Sequence, residues 1–203
     1  PRTSARDMLD HIAILKGITN SRERREIVDA MLERVNLFQH RKKAISGFSG
    51  GMKQRFGIAQ ALIGNPKLLI VDEPTAGLDP GERNRFYNLL SEVGENVVVI
   101  LSTHIVQDVK ELCTNMAIIN LGQVVYAGPP VKAEEELHGM VWQKSISRQE
   151  LEDHRKNYQV ISTKLVAGRP LIHVLSKTSP GAGFSQVEPD LEDVFFSRVN
   201  QAV

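Results

Sequence analysis

The chain has 203 residues, 41% of them hydrophobic and 24% charged, which is the composition of an ordinary folded protein. Its formal net charge of +1 does not favour the basic stripe of a dedicated nucleic-acid-binding protein, so we expect no nucleic-acid partner. No apolar stretch approaches the roughly 20 residues that cross a bilayer. The single cysteine, Cys113, excludes an intrachain disulfide and fits a reducing compartment such as the cytoplasm.

Two helices are predicted at the start of the chain. The first spans residues 4–16, where Ser4 and Asp7 have the spacing of a capping box. The second spans residues 21–35, where Asn20 can cap a run whose apolar residues recur in helical register. The first turns of the second helix carry Arg22, Arg24 and Arg25, which predict a solvated face or, as the alternative, a surface for a partner or lipid.

The most informative stretch is residues 46–80. In it, Ser49, Gly50 and Gly51 precede a helical run whose apolar residues recur on one face: Met52, Phe56, Ala59, Leu62 and Ile63. Ser49 can cap this helix, and the two glycines let a ligand approach the backbone closely. A helix N-terminus with free N–H groups and no bulky side chains predicts an anion site, and we expect the anion to be phosphate.

A short strand that ends in two carboxylates follows this helix. Residues 68–71 form an apolar run that predicts a strand buried on both faces, and Asp72 and Glu73 come directly after it. Ligands bind at the carboxyl ends of parallel strands in open α/β sheets, so the two side chains are candidate site residues. The plainer alternative is that they begin the turn before Pro74.

Strands and helices alternate over the next part of the chain. Asp79 can cap a helix, a second apolar strand is predicted at 97–102, and a helix follows at 105–112. Residues 116–120 and 123–127 predict a hairpin. Buried strands alternating with helices favour a parallel sheet, finished here by the antiparallel pair.

Residues 140–203 predict a small α+β region. We expect its strands and helices at residues 140–146, 147–156, 158–166, 171–175 and 190–199. Nothing over residues 140–187 carries recognisable chemistry. The histidines at 138, 154 and 173 do not have the spacing of metal ligands.

Four motifs, in order, resemble those of the nucleotide-binding subunit of ATP-binding cassette (ABC) transporters. Residues 48–54 resemble the signature motif of that family, residues 68–73 its Walker B strand, and residues 76–79 its D-loop. The sequence Ser-Thr-His that ends at His104 resembles its switch histidine. Four motifs in the order of the family are far more specific than any one of them.

The resemblance implies one metal ligand, Asp72, and two catalytic residues, Glu73 and His104. Asp72 would hold Mg²⁺, directly or through water, as Walker B aspartates do. Glu73 would orient or deprotonate the water that attacks ATP, and it must point away from Asp72 because successive strand residues face opposite ways. His104 would contact the γ-phosphate as the switch histidine.

The resemblance also implies how ATP is bound. Ser49, Gly50, Gly51 and Gln54 belong to the signature turn, which in the family closes over ATP held by the other subunit. The basic side chains on either side of Gln54 could bind phosphate or face solvent. Asp79 has two compatible roles, as a helix cap and as a residue that communicates across the dimer.

The implied fold is an α/β, P-loop NTPase-like ABC cassette. We expect a helical subdomain at residues 1–65, the Walker B, D-loop and switch part at 66–138, and a small α+β appendage at 139–203. No GxxxxGK[ST] sequence occurs in the chain. Since this Walker A loop normally lies upstream of the signature helix, we expect the chain to be the C-terminal portion of a longer cassette.

The implied function is that of an ATP-binding and ATP-hydrolysing transporter subunit, inactive as this portion alone. Residues 188–195 resemble the tail of drug- and peptide-exporter cassettes, which favours export. The expected partners are a membrane-spanning transporter subunit and a second nucleotide-binding subunit in a head-to-tail dimer. The expected location is cytoplasmic, peripheral on the inner face of the cell membrane.

Two other functions are compatible with the motifs. One is a soluble ABC ATPase of translation or DNA repair. The repair type places a long coiled coil before the signature and the translation type carries two cassettes in tandem, and the sequence has neither feature. The other is a non-catalytic interaction fragment, which the missing Walker A loop would favour.

Overall fold

The computed structural model of the chain describes residues 3–201. The chain divides into two compact units, Pro1–Asp108 and Val109–Val203, and each is described by itself. The predicted division into three parts, with boundaries after residues 65 and 138, stays a prediction.

Helices and a parallel strand pair build the first unit. Its elements are α1 (Ala5–Leu15), α2 (Ser21–Arg34), α3 (Gly50–Leu62), β1 (Leu68–Asp72), α4 (Pro80–Gly94), β2 (Val98–Ser102) and the start of α5 (Val106–Leu112). Short 3-10 turns at Phe38–His40 and Ile45–Gly47 connect α2 to α3. The predicted helices and strands are confirmed to within one or two residues at their ends.

Side-chain caps fix where four of these helices begin. Ser4, Asn20, Ser49 and Asp79 occupy the N-cap positions of α1, α2, α3 and α4. Each side chain accepts a hydrogen bond from a backbone N–H two or three residues further on, at 2.8 to 3.2 Å. A cap of this kind stabilises a helix by about 1 kcal/mol. The predicted caps are therefore confirmed.

The core of the first unit lies between its helices. Helices α1, α2 and α3 pack against one another, and α4 packs on α3 and β2. The largest fully buried side chains there are Leu9, Leu32, Leu37, Ile63 and Phe86. Phe48, directly before Ser49, packs edge-on against Phe56 with the ring centroids 6.1 Å apart, which anchors the start of α3 to the core.

Strands β1 and β2 form a two-stranded parallel sheet. Their register runs from Leu68 opposite Val98 to Asp72 opposite Ser102, so the carboxyl ends of both strands lie at the same edge. The residues that follow the two strands therefore start from neighbouring points, as expected for ligand sites in α/β sheets.

One face of this sheet is exposed. Leu69 is buried, but its neighbours on the other face keep large exposed fractions: Leu68 48%, Ile70 68%, Val98 64% and Ile100 52%. The prediction that β1 is buried on both faces is therefore wrong. Alternation along a strand places successive side chains on opposite faces, and only the face that carries Leu69 is covered here.

The second unit begins with an antiparallel hairpin of β3 (Met116–Asn120) and β4 (Gln123–Gly128). Leu121 and Gly122 form its turn, with φ of 47° and 77°, as two-residue hairpin turns require. The predicted hairpin is confirmed. The prediction that it finishes the parallel sheet is wrong, because among the described residues β3 and β4 form a sheet of their own.

A four-stranded antiparallel sheet makes up most of the second unit. Its elements and their flanking helices are α6 (Pro130–Glu135), β5 (Val141–Ser145), α7 (Leu151–Asn157), β6 (Val160–Val166), β7 (Arg169–Leu175), β8 (Ser185–Gln186) and α8 (Leu191–Gln201). The strand order is β6-β7-β5-β8, and α8 packs on β6, α6 and β4. Ile146, Ile172 and Val174 form its buried cluster. Strand β8 was not predicted, because two residues carry no periodicity.

The helices in the described part of the chain are short. The longest, α4, has 15 residues. Within residues 3–201, no helix combines the length and the apolar character that a membrane crossing requires.

Candidate functional site

Asp72 and Glu73 lie at the carboxyl end of β1 and point to different partners. Asp72 accepts a hydrogen bond from the hydroxyl of Ser102, its register partner at the end of β2. Glu73 leaves the strand in the left-handed region, with φ of 45°, and its N–H donates to the Ser102 carbonyl at 2.8 Å. Strand alternation predicted divergent side chains; the backbone turn at Glu73 is the actual reason. Such a conformation costs about 1 to 3 kcal/mol in a non-glycine residue and is typical of functional sites.

The two side chains predicted to be catalytic are in contact. Oε1 of Glu73 lies 2.8 Å from Nδ1 of His104 and also accepts a hydrogen bond from the His104 backbone N–H at 3.2 Å. The other carboxylate oxygen, Oε2, is buried and has no hydrogen-bond partner within residues 3–201. The imidazole is 76% exposed, so the pair lies at the surface of the unit.

This contact uses Nδ1 of His104 and Oε1 of Glu73 and leaves Nε2 and Oε2 without a partner in the pair. When Nδ1 of His104 donates to the carboxylate, Nε2 of the neutral ring is an acceptor that faces outward; in the imidazolium both nitrogens donate. Oε2 of Glu73 is buried and unpartnered, whereas Oε1 lies beside the exposed imidazole. A carboxylate next to an exposed imidazole can orient a water molecule and accept its proton.

The turn formed by residues 49–51, which we call the glycine turn, opens α3. Ser49 and Gly50 are exposed, and Gly51 is buried. A Cβ added at Gly50 would meet no atom within 4 Å, so a ligand has room to approach the backbone there. The first N–H groups of a helix have no acceptor inside the helix. Gln54 lies one turn further on and is half-buried.

Gly51 also has a packing role, which the sequence did not indicate. A Cβ at Gly51 would lie 2.8 Å from Cδ and 2.9 Å from Cγ of Glu82, so the glutamate side chain fills the space that the missing side chain leaves. Glu82 lies in the first turn of α4, where its own N–H is capped by Asp79. The glycine turn and Asp79 are therefore joined through one residue, Glu82, which the sequence did not reveal.

Arg55 holds this glutamate in place. Its side chain is 8% exposed and forms an ion pair with Oε2 of Glu82 at 3.1 Å. It also donates to the carbonyl oxygens of Val35 at 3.3 Å and Gly51 at 3.4 Å. Neither alternative predicted for Arg55, a phosphate ligand or a solvated side chain, is correct, because its charge is buried and paired. Lys53, the basic residue on the other side of Gln54 in the sequence, is exposed.

The carboxylate at the end of β1 fits a magnesium ion bound together with a phosphate. Mg²⁺ is usually held by one or two carboxylates, with water and phosphate oxygens completing its octahedron. Asp72 is exposed and has the Ser102 hydroxyl beside it. The described residues contain no group of three or more His, Cys, Asp and Glu side chains that could hold a metal ion. A magnesium ion here would thus need ligands from a bound nucleotide.

The predicted site residues form two groups in the first unit. Asp72, Glu73 and His104 lie together at the strand ends, and Asp79 lies with the glycine turn at the starts of α4 and α3. No hydrogen bond or ion pair within residues 3–201 joins the glycine turn to the Glu73–His104 pair.

Comparison with known proteins matches the chain to one family. The family model described as "ABC transporter" matches residues 1–76. The uncharacterized ABC transporter ATP-binding protein YxlF of Bacillus subtilis is 30% identical, over 97% of this chain and 71% of its own length. The linearmycin resistance ATP-binding protein LnrL of Bacillus subtilis is 35% identical over 63% of this chain and 41% of its own length. The methionine import ATP-binding protein MetN 2 of Paraburkholderia xenovorans is 37% identical over 62% of this chain and 34% of its own length.

Proposed function

The chain belongs to the family of ABC transporter ATP-binding proteins, and from this membership we propose that it contributes the signature, Walker B and switch-histidine elements of a transport ATPase. The observation that carries the proposal is the contact between Glu73 and His104, beside Asp72, with Oε2 of Glu73 left unpartnered. Such an arrangement suits the hydrolysis of a phosphoanhydride, because proteins catalyse that reaction mostly by positioning the reactants and stabilising charge.

Each residue of the strand-end group has one role in this proposal. A magnesium ion supplies charge neutralisation at the phosphates, and Asp72 holds it directly or through water. Glu73 orients the attacking water and accepts its proton, while His104 holds the carboxylate through Oε1. His104 contacts the γ-phosphate through Nε2, which donates to a phosphate oxygen when the ring is the imidazolium.

The glycine turn acts on a second nucleotide. Ser49, Gly50, Gly51 and Gln54 bind the phosphates of ATP held by a second nucleotide-binding subunit, so the active assembly is a head-to-tail dimer. The open space at Gly50 and the lack of contact with the chain's own Glu73–His104 pair support this arrangement. Asp79 caps α4 and communicates across the dimer through the neighbouring Glu82.

The phosphate-binding Walker A loop must come from outside these 203 residues, because they contain no GxxxxGK[ST] sequence. We call this chain together with such a loop the complete cassette. The 203 residues alone do not hydrolyse ATP. The complete cassette docks on a membrane-spanning subunit at the inner face of the membrane. The names of relatives include a resistance protein and an import protein, and our proposal of export rests on the tail at residues 188–195.

The substitution Glu73→Gln in the complete cassette tests the proposal. Glutamine keeps the shape and the hydrogen bonds to His104 but cannot accept the proton, so we expect turnover to fall by about 10² to 10⁴-fold while ATP stays bound. Glu92→Gln, which removes a carboxylate paired with Arg34 elsewhere in the same unit, is the matched control and should leave turnover unchanged. Wild-type turnover in Glu73→Gln would show that the carboxylate has another role. A complete cassette without any ATPase activity would favour a non-catalytic interaction protein.

A further inference from the structure

A buried carboxylate connects the segments that carry Glu73 and His104. Asp108 lies in α5 and is 0% exposed. The hydroxyl of Thr75 lies 2.8 and 2.7 Å from its two oxygens, and the hydroxyl of Thr103 donates to Oδ2 at 2.9 Å. Thr75 follows Glu73 by two residues, and Thr103 directly precedes His104. One carboxylate therefore accepts from both segments.

Further contacts fix Asp108 itself. The hydroxyl of Tyr87, in α4, donates to Oδ1 at 2.8 Å, and the backbone N–H of Asp108 donates to the Ile105 carbonyl at 3.0 Å. The Thr103 hydroxyl in turn accepts from the Ile105 N–H at 3.0 Å. A carboxylate in this position is unfavourable unless its oxygens are hydrogen-bonded, and three hydroxyls from three segments meet that need.

We propose that Asp108 is a positioning residue that sets the separation between Glu73 and His104; this role in catalysis rests on the function proposed above. Glu73 has a left-handed conformation that its surroundings must enforce. The hydrogen bond from Thr75 to Asp108 fixes the backbone two residues beyond Glu73. The hydrogen bond from Thr103 to Asp108 fixes the backbone directly before His104. Asp108 thus maintains the 2.8 Å contact between Glu73 and His104 through its hydrogen bonds to Thr75 and Thr103.

Amide hydrogen exchange on the 203-residue chain tests the positioning without any ATP chemistry. Thr75→Val and Thr103→Val replace a hydroxyl by a methyl group of the same size, and Thr75→Ser and Thr103→Ser keep the hydroxyl. We expect each valine variant to raise exchange several-fold over both residues 73–78 and 102–106, including the segment that was not changed. The serine variants should restore slow exchange.

The matched control is Ser162→Ala, which removes a hydroxyl from another buried carboxylate, Asp193, in the second unit. It should leave exchange over residues 73–78 and 102–106 unchanged. A residue that only stabilises the fold would raise exchange across the whole first unit by one common factor. Such uniform exchange, or no change in the segment that was not substituted, would overturn the proposal.

Turnover of the complete cassette tests the catalytic consequence. A displacement near 1 Å of a positioned group lowers a rate by about 100-fold. We expect kcat of Thr103→Val to fall by about 10- to 100-fold, with KM for ATP little changed and with kcat recovered in Thr103→Ser. If Glu73→Gln abolishes turnover while Thr103→Val keeps the wild-type kcat, the positioning role fails and the proposed function stands. If the wild-type cassette does not turn over ATP, the proposed function fails, and the exchange result still decides the positioning role.

Discussion

The side chain of Glu82 occupies the space in which a Cβ atom on Gly51 would lie. The built Cβ would be 2.8 Å from Cδ and 2.9 Å from Cγ, closer than carbon atoms pack. The carboxylate cannot simply swing away, since Arg55 holds Oε2 at 3.1 Å and Arg85 donates to Oε1 at 2.7 Å. Glycine is therefore required at position 51 by packing, whereas the neighbouring Gly50 faces open space.

Alanine should destabilise the chain at position 51 but not at position 50. Gly51→Ala overpacks the contact between α3 and α4, and we expect it to lower the free energy of unfolding by about 1 to 3 kcal/mol. Gly50→Ala meets no atom within 4 Å, and we expect it to be neutral or to stabilise the chain by up to about 1 kcal/mol, since alanine restricts the unfolded chain. Urea unfolding followed by far-ultraviolet circular dichroism measures both.

A double-mutant cycle assigns the cost of Gly51→Ala to Glu82. In a Glu82→Ala background the clash is gone, so Gly51→Ala should cost less there than in the wild type. Glu82→Ala will itself be destabilising, because it leaves the buried charge of Arg55 unpaired. Equal costs of Gly51→Ala in both backgrounds would show that the glycine is needed for another reason.

The local features of this fold could be predicted from the sequence. Ser4, Asn20, Ser49 and Asp79 were predicted as caps because capping joins residues only two or three apart. The parallel pairing of β1 and β2 was predicted from the alternation of apolar strands and helices, and it places the carboxyl ends of both strands at one edge. The prediction that both faces of β1 are buried was wrong. An apolar run indicates that a strand can be buried, but it does not indicate which elements cover its faces.

The contacts that position the site could not be predicted in this way. Arg55 reads as one of several basic residues, and its burial depends on Glu82, 27 positions further along the sequence. Asp108 is a carboxylate in a seven-residue helix, and nothing near it in the sequence shows that hydroxyls from Thr75 and Tyr87 reach it. The left-handed conformation of Glu73 has no local signal either, since glutamate rarely adopts it.

The stability of the second unit should depend on the ionisation of Asp190. Burial raises the pKa of this carboxyl, but the Asp193 N–H at 2.9 Å and the Lys164 ammonium at 3.1 Å outweigh it, so the pKa lies below its ordinary value of 3.8. A lowered pKa means that this stabilisation is present above the unfolded value and is lost as the pH falls through the folded value. Asp190→Asn should therefore destabilise the unit at neutral pH. The difference in the free energy of unfolding between this variant and the wild type should decrease as the pH falls below about 4.

The fluorescence of Trp142, the single tryptophan, reports this unfolding, since β5 lies in the same unit. Asp190 is 41% exposed, so we expect a difference of no more than about 1 kcal/mol at neutral pH. The control is Glu152→Gln, which removes an exposed pair with Arg155 and should leave stability within about 0.5 kcal/mol at every pH. A difference between Asp190→Asn and the wild type that grows at low pH would contradict the sign of the argument.

Removal of residues 140–203 from the complete cassette should spare ATP chemistry. The four motifs that resemble those of the ATPase family lie between residues 48 and 104, within the first unit. The truncation also removes α8, which packs on α6 and β4, and so uncovers the parts of these two elements that α8 contacts. We expect basal turnover within a few-fold of the wild type and a lower midpoint of thermal unfolding. Complete loss of turnover in a truncated protein that still folds would show that the appendage takes part in catalysis.

The 203-residue chain should not bind MgATP tightly by itself. Backbone N–H groups and a lysine of the GxxxxGK[ST] loop hold the phosphates in nucleotide-binding proteins, and this sequence lacks that loop. Hydrogen bonds to charged groups contribute about 1.5 to 3 kcal/mol each, so losing three of them costs roughly 4 kcal/mol or more. Such a loss weakens binding about a thousandfold, which turns a micromolar site into a millimolar one.

The glycine turn cannot compensate for this loss, because in the proposed dimer it meets ATP already seated on the partner. Two copies of this chain would bring two glycine turns and no phosphate-binding loop. Titration calorimetry with MgATP on the 203-residue chain is the direct test, and the same titration on the complete cassette is its control. We expect millimolar or weaker binding in the first experiment and tight binding in the second. A low-micromolar dissociation constant for the 203-residue chain would mean that residues other than those assigned here hold the nucleotide.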